Sequence, residues 1–225
     1  MRSLRARVAL NTTKFLAAIA VVLVAAAGTL RFWQAWVYLG LQLAGMAATS
    51  LYLLKKDPAL LERRLALDEQ GEKEKVQRIV MALFRLFGLA TLVVAGLDRR
   101  LGWSAVPFAV GAAAGAVFAA GTAVVIVVFR ENSYTSSIIE VEAGQTVVAT
   151  GPYRVVRHPM YAGTLLMGLA TPLLLGSYWA ELLLVPGCAL LIVRLLAEER
   201  LLAERLPGYL AYMNTARSRL IPGVW

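Results

Sequence analysis

The 225-residue chain is 59% hydrophobic and 16% charged, with a formal net charge of +9. Soluble domains carry about 25% charged residues, so this balance excludes an ordinary soluble domain and places the chain in a membrane. The basic excess is that of loops that collect Lys and Arg on one membrane face rather than of a nucleic-acid binder, and a single His and a single Cys argue against a metal centre or a Cys-His nucleophile pair.

The first apolar span is residues 15–30, behind a basic start of Arg2, Arg5, Arg7 and Lys14. Because further spans follow, it reads as a retained anchor helix rather than a cleaved signal peptide. The short link at Arg31 makes a hairpin with the second span, 33–54, where Trp33, Trp36 and Tyr38 form an interfacial belt. Residues 55–78 are highly charged. Asp57 before Pro58 is a good helix start, and Leu60, Leu61, Leu65 and Leu67 give an apolar face, so a helix lying on the cytoplasmic surface is expected, with a soluble linker as the alternative.

Two more spans are expected at 79–97 and 106–129, the latter rich in Gly and Ala and suited to close packing. The stretch 130–158 does not span. Its weak alternation around Ala143-Gly144 predicts a small hairpin. A short fifth span at 160–175 carries Pro172, and a sixth occupies 179–196. Cys188 sits within that last apolar run and reads as a buried, inert thiol. The tail is polar and helical, broken at Pro207-Gly208. With both termini in the cytoplasm, the outer loops hold only Arg31, Arg99 and Arg100 as basic residues, which suits about six spans. The expected fold is therefore all-α, a polytopic helical bundle. Residues 1–130 form an N-terminal part that includes the amphipathic linker 55–78, and 131–225 a C-terminal core.

The polar chemistry is concentrated on one face. "GPYRVVRHPMYAG", residues 151–163, holds the only histidine. Pro159 suits the first position of a helix, whose free N–H groups at Met160, Tyr161 and Ala162 would attract an anion beside Arg154 and Arg157. A basic flank that anchors the helix to lipid headgroups is the other reading. Tyr161, Thr164, Gly168 and Thr171 recur at helical spacing, a stripe that suits tight helix contact or a flat ligand. Farther along, Glu198 and Glu199 stand where the last span leaves the membrane, and Arg194 is spaced to pair with Glu198. Snorkelling interfacial charge explains them equally well. Tyr209 and Tyr212 share a helical face, and Arg217 and Arg219 follow. An anion-binding helix start and a carboxylate pair together suit a zwitterionic adenosyl compound, though spacing alone does not name it.

These motifs, "GPYRVVRHPMYAG" followed by "EERLLAERLPGYLAYMNTARSRLIP", resemble the isoprenylcysteine carboxyl methyltransferase family. The phospholipid methyltransferases are similar in the same C-terminal half. The resemblance is strongest over 145–225, and "DPALLERR" and "GLDRRLGWSAVP" extend it into the rest of the chain. It implies a membrane-embedded methyltransferase using S-adenosyl-L-methionine, with the donor held on the cytoplasmic side by the last two spans and the tail. It also implies cofactor-binding positions at His158, Pro159, Tyr161, Gly163, Glu198, Glu199, Tyr209 and Tyr212, and catalytic roles for Arg157, Arg217 and Glu198. The implied acceptor is a lipophilic or prenylated compound, foremost an isoprenylcysteine-type carboxylate. A phospholipid amine is an alternative, membrane lipids are the surroundings, and no nucleic acid or metal is called for. A sterol-type reductase using NADPH shares the "RHP…EE" region, but Met160 and Thr164 stand where many such enzymes carry the Asn and Glu of "NYxGE". A non-catalytic transporter or scaffold would set its acids along a path through the bilayer. Here they cluster at helix ends.

Overall fold

The structure is a computed structural model and describes residues 3–70, 72, 74–135, 138–142 and 144–225. Arg2 and Ala143 lie outside the described residues, as does the side chain of Leu67.

Helix α1 (Leu4–Ala27) begins where the Ser3 hydroxyl accepts from the Ala6 N–H and stops at Gly28, whose φ of 66° is a left-handed cap. It turns directly into α2 (Trp33–Lys56), as the hairpin expectation required. Then come α3 (Pro58–Gln70), α4 (Lys75–Leu101), α5 (Phe108–Glu131), α6 (Pro159–Leu174), α7 (Leu184–Arg205) and the short α8 (Tyr209–Thr215). Single 3-10 turns precede α6 at Gly151–Arg154 and α7 at Ala180–Leu183.

Five helical stretches are long and apolar enough to cross a membrane: Leu4–Ala27, Trp33–Lys56, Lys75–Leu101, Phe108–Glu131 and Ala180–Arg205. By length and composition this is an integral membrane protein and an all-helical bundle. The sixth helix, α6, has 16 residues. At 1.5 Å per residue that is roughly 24 Å, short of the ~30 Å hydrocarbon layer. It is held instead by its neighbour α5. Gly121 and Gly163 face each other so closely that a Cβ on Gly163 would lie 2.8 Å from the Gly121 carbonyl oxygen. Small residues allow this backbone approach, as the Gly- and Ala-rich sequence of α5 predicts.

Four expectations are corrected. Tyr38 is not in the interfacial belt but buried, edge-on to Phe118 with ring centroids 5.6 Å apart. The exposed aromatics at that end of the bundle are Trp33, Trp36, Trp103, Phe108, Tyr178 and Trp179. Second, α3 is capped by Asp57, whose Oδ1 accepts from the Leu60 N–H at 3.0 Å, yet Leu60 and Leu61 pack into the protein against Leu53 and Phe129 rather than into lipid. Third, no strand forms among the described residues of 138–149. A turn joins Gln145 N–H to the Glu142 carbonyl, while Glu142 pairs with Arg63 at 2.9 Å and the Ile139 N–H reaches Glu72 at 3.4 Å. Polar groups of these arms are satisfied by α3 and the segment after it, so no ladder is needed. Fourth, α7 continues two turns past the expected 196, through a run of good helix formers, and so carries both acids on a rigid element.

At the aromatic end the bundle is tied by Asp98, 1% exposed. Its carboxylate accepts from Ser104 N–H at 2.7 Å, Ser104 Oγ at 2.6 Å and Ser177 Oγ at 2.5 Å. One buried side chain thereby joins the end of α4 to the loops before α5 and α7.

Candidate functional site

At the opposite end the chain enters α6 through His158, and Pro159 occupies the first helical position. The Ala162 N–H is already bonded to the His158 carbonyl at 3.1 Å, so it is not one of the free donors expected there. The tail is fastened to this corner. The Arg157 and His158 N–H groups donate to the carbonyls of Ser218 and Arg219 at 2.9 and 3.0 Å. Arg157 Nη1 adds bonds to the carbonyls of Ala216 and Arg217, at 2.9 and 2.7 Å.

Glu199 receives the rest of that guanidinium. Arg157 Nε and Nη2 both lie 2.8 Å from Oε2, while Arg219 Nε and Nη2 lie 3.0 and 2.8 Å from Oε1. Arg157 and Glu199 are each 6% exposed. A carboxylate buried this deeply is tolerated because charge-assisted, two-pronged bonds replace its water. The His158 Nε2 is 3.4 Å from Glu199 Oε2, too long for a good hydrogen bond, and that nitrogen has no hydrogen-bond partner.

Beside this knot is a cavity of about 330 Å³, within the ~300–1,000 Å³ of small-molecule sites. His158, Pro159, Tyr161, Glu198, Tyr209 and Tyr212 line it, together with Arg157, Tyr153 and Asn132. Val80 and Phe84 of α4 and Leu190 and Leu191 of α7 give it an apolar side. Tyr161 donates its hydroxyl to Glu198 Oε2 at 2.5 Å. Tyr212 donates to the Tyr153 carbonyl at 2.7 Å, and the Tyr153 hydroxyl accepts from Asn132 Nδ2 at 2.9 Å. The Tyr209 hydroxyl, on a residue 4% exposed, has no partner. Burial raises the Tyr153 and Tyr209 hydroxyls well above the usual phenol range and pushes Tyr212 up to about 12. For Tyr209 the nearby carboxylates of Glu199 and Glu198 add to that. All three are neutral O–H groups at physiological pH.

Other expected positions lie elsewhere. Glu199, Gly163 and Arg217 are outside the cavity lining among the described residues. Gly163 is pressed on α5, and Arg217 is exposed, offering its carbonyl to Arg157. Arg154 is also exposed. Of the polar stripe on α6, Tyr161 and Thr164 reach the cavity, while Thr171 bonds back to the Met167 carbonyl. Arg194 does not pair with Glu198 as its spacing suggested. It is buried against Glu72, Nη1 to Oε1 at 2.5 Å. Tyr153, Asn132, Arg219 and Glu72 belong to the site and were not singled out for it. Tyr153 lies within the quoted 151–163 motif, the one signal that could have found it.

With this geometry in hand, the comparisons with known proteins can be placed on it. Residues 109–207 match the family model of phospholipid methyltransferases. The matched segment is under half of the chain. It holds α5, α6 and α7, and with them His158, Tyr161, Glu198 and Glu199, and it ends before Tyr209. The similarity therefore falls on the cavity walls rather than on its latch from the tail. A comparison with curated proteins gave no match.

Proposed function

We propose that the chain is an S-adenosyl-L-methionine-dependent methyltransferase that modifies a lipophilic acceptor, with the donor in the cavity between α6, α7 and α8 on the cytoplasmic face. The observation that carries this reading is the pair of buried, partnerless polar atoms facing one hollow, His158 Nε2 and Tyr209 Oη. Buried polar atoms without partners cost about 1–3 kcal/mol each, so they mark a place where a ligand supplies the missing bonds. An adenosyl amino acid has the acceptors and donors to do so. His158, Tyr161, Glu198, Tyr209 and Tyr212 would hold it, while Pro159 and Gly163 set the course of α6. Arg157, Glu199 and Arg219 act one step back, holding the tail in place rather than touching the donor.

S-adenosylmethionine supplies a methyl group already activated on a sulfonium, so this chain's task is alignment and exclusion of water. A carboxylate acceptor, the isoprenylcysteine type, has no proton to lose. An amine acceptor does, and Glu198, held by Tyr161 at the cavity wall, is placed to accept it. The match to phospholipid methyltransferases favours the amine as the second reading.

The test is calorimetric titration of the purified protein with S-adenosylhomocysteine. Saturable binding is expected, weakened roughly tenfold by His158→Ala and roughly fivefold by Tyr209→Phe, the effects of one lost hydrogen bond each. Affinity unchanged in both variants would remove this site. Methyl transfer to a prenylated cysteine gives a base-labile ester and transfer to an ethanolamine phospholipid a base-stable amine, which separates the two acceptors.

A further inference from the structure

A second hollow, of about 410 Å³, lies between α1, α2 and α5 and is roofed by α3. Its lining is unusual for spanning helices. Asn11 and Thr12 come from α1, Thr49 and Ser50 from α2 and Thr122 from α5. Counted along their helices, these positions stand roughly 9–14 Å in from the ends nearer α3, at 1.5 Å per residue. They therefore share one level of the bilayer, inside its hydrocarbon edge. Thr122 bonds back to the Phe118 carbonyl. Asn11, Thr12, Thr49 and Ser50 make no side-chain hydrogen bond among the described residues. Polar groups at that depth are costly when unmatched, because lipid tails offer no acceptor.

The roof carries the complementary charge. Arg64 of α3 lines this hollow, its guanidinium 4.9 Å from the centre of the Phe129 ring, and it also lines the cavity beside His158. Hydroxyl and amide donors below with a guanidinium above match one kind of molecule: ester carbonyls at the level of the Thr and Ser side chains, a phosphate above them, and acyl chains running on into the bilayer.

We propose that this groove is a binding site for a diacyl glycerophospholipid, separate from the donor cavity and sharing Arg64 as its wall. The phosphate rests at Arg64, and the glycerol esters accept from Thr12, Thr49 and Ser50. The assignment does not require that the bound lipid be methylated, and it stands whether or not S-adenosylmethionine is the donor.

Native mass spectrometry of the full chain in detergent, titrated with phosphatidylglycerol, tests it. The expected result is one retained lipid per chain, with diacylglycerol, which lacks the phosphate, retained far less. The paired substitution Thr12→Val with Thr49→Val keeps shape while removing two donors, and retention should fall about tenfold. Ser50→Phe fills the groove and should abolish it. Thermal unfolding reports whether each variant is folded. If Ser50→Phe is not folded, the valine pair decides. Equal retention by the wild type and the folded valine pair, or equal retention of diacylglycerol and phosphatidylglycerol, would overturn the site and leave only annular lipid.

Discussion

Each end of the bundle buries a carboxylate, and the two do different work. Asp98 is surrounded by neutral donors from Ser104 and Ser177, and the helix ends close tightly around it. Glu199 is surrounded by guanidinium nitrogens of Arg157 and Arg219, and beside it the structure leaves a hollow with two polar atoms unmatched. A buried acid is thus no marker of a ligand site by itself. Both acids are structural fastenings. What distinguishes the second end is the adjoining unsatisfied His158 and Tyr209, since a fold under no other demand matches such atoms internally.

Substitutions at the two fastenings test that difference. The largest effect is expected from Glu199→Ala, which leaves two guanidinium groups facing each other with no counter-charge. Breaking such a pair costs about 3–5 kcal/mol. The unfolding midpoint should drop sharply, and donor binding should vanish as the tail comes away. A Glu199→Ala protein that kept both would mean that the tail is held by its main-chain bonds alone. Next is Asp98→Ala. It strands the serine donors at a cost of about 1–3 kcal/mol, measured by the same unfolding, and it should leave S-adenosylhomocysteine affinity unchanged. A loss of affinity there would show that the two ends are coupled.

The smallest effect concerns alkaline pH. The Tyr212 hydroxyl is raised to about 12 in the fold by burial. A raised phenol favours the protonated folded form. Its contribution is therefore complete below the ordinary phenol value near 10 and is lost as pH climbs from there through about 12. Unfolding followed across that window should show a decline that Tyr212→Phe diminishes. An identical decline in the variant would assign it to other groups.

Much of the bundle was legible in the sequence because spanning helices announce themselves by apolar length, and Asp57-Pro58 and His158-Pro159 by their local capping chemistry. Both starts fall where those rules put them. The site was legible only in part. His158, Tyr161, Glu198, Tyr209 and Tyr212 do share one cavity, but the choice between Arg217 and Arg219 as the inward residue was not readable. After α8 the backbone turns irregularly, so no helical period tells which of two arginines points in. The partner of Arg194 was hidden for another reason. Its i+4 neighbour looks adequate on paper, and the contact it makes instead, with Glu72, depends on a fold-level approach that local spacing does not encode. Likewise, the alternation near Gly144 carries no information about α3 lying alongside to satisfy the same groups.

The fastening of Arg157 and His158 to residues 216–219 also fixes an order of events. Those residues follow every span in the chain, so during synthesis all the bundle helices can be inserted before the strap exists that encloses the hollow. The bundle is thus assembled first as an open vessel. Its capacity to hold a donor arrives in a separate, final step made outside the bilayer, in water, where a nick or a disordered strap would silence the protein without dislodging a single helix from the membrane.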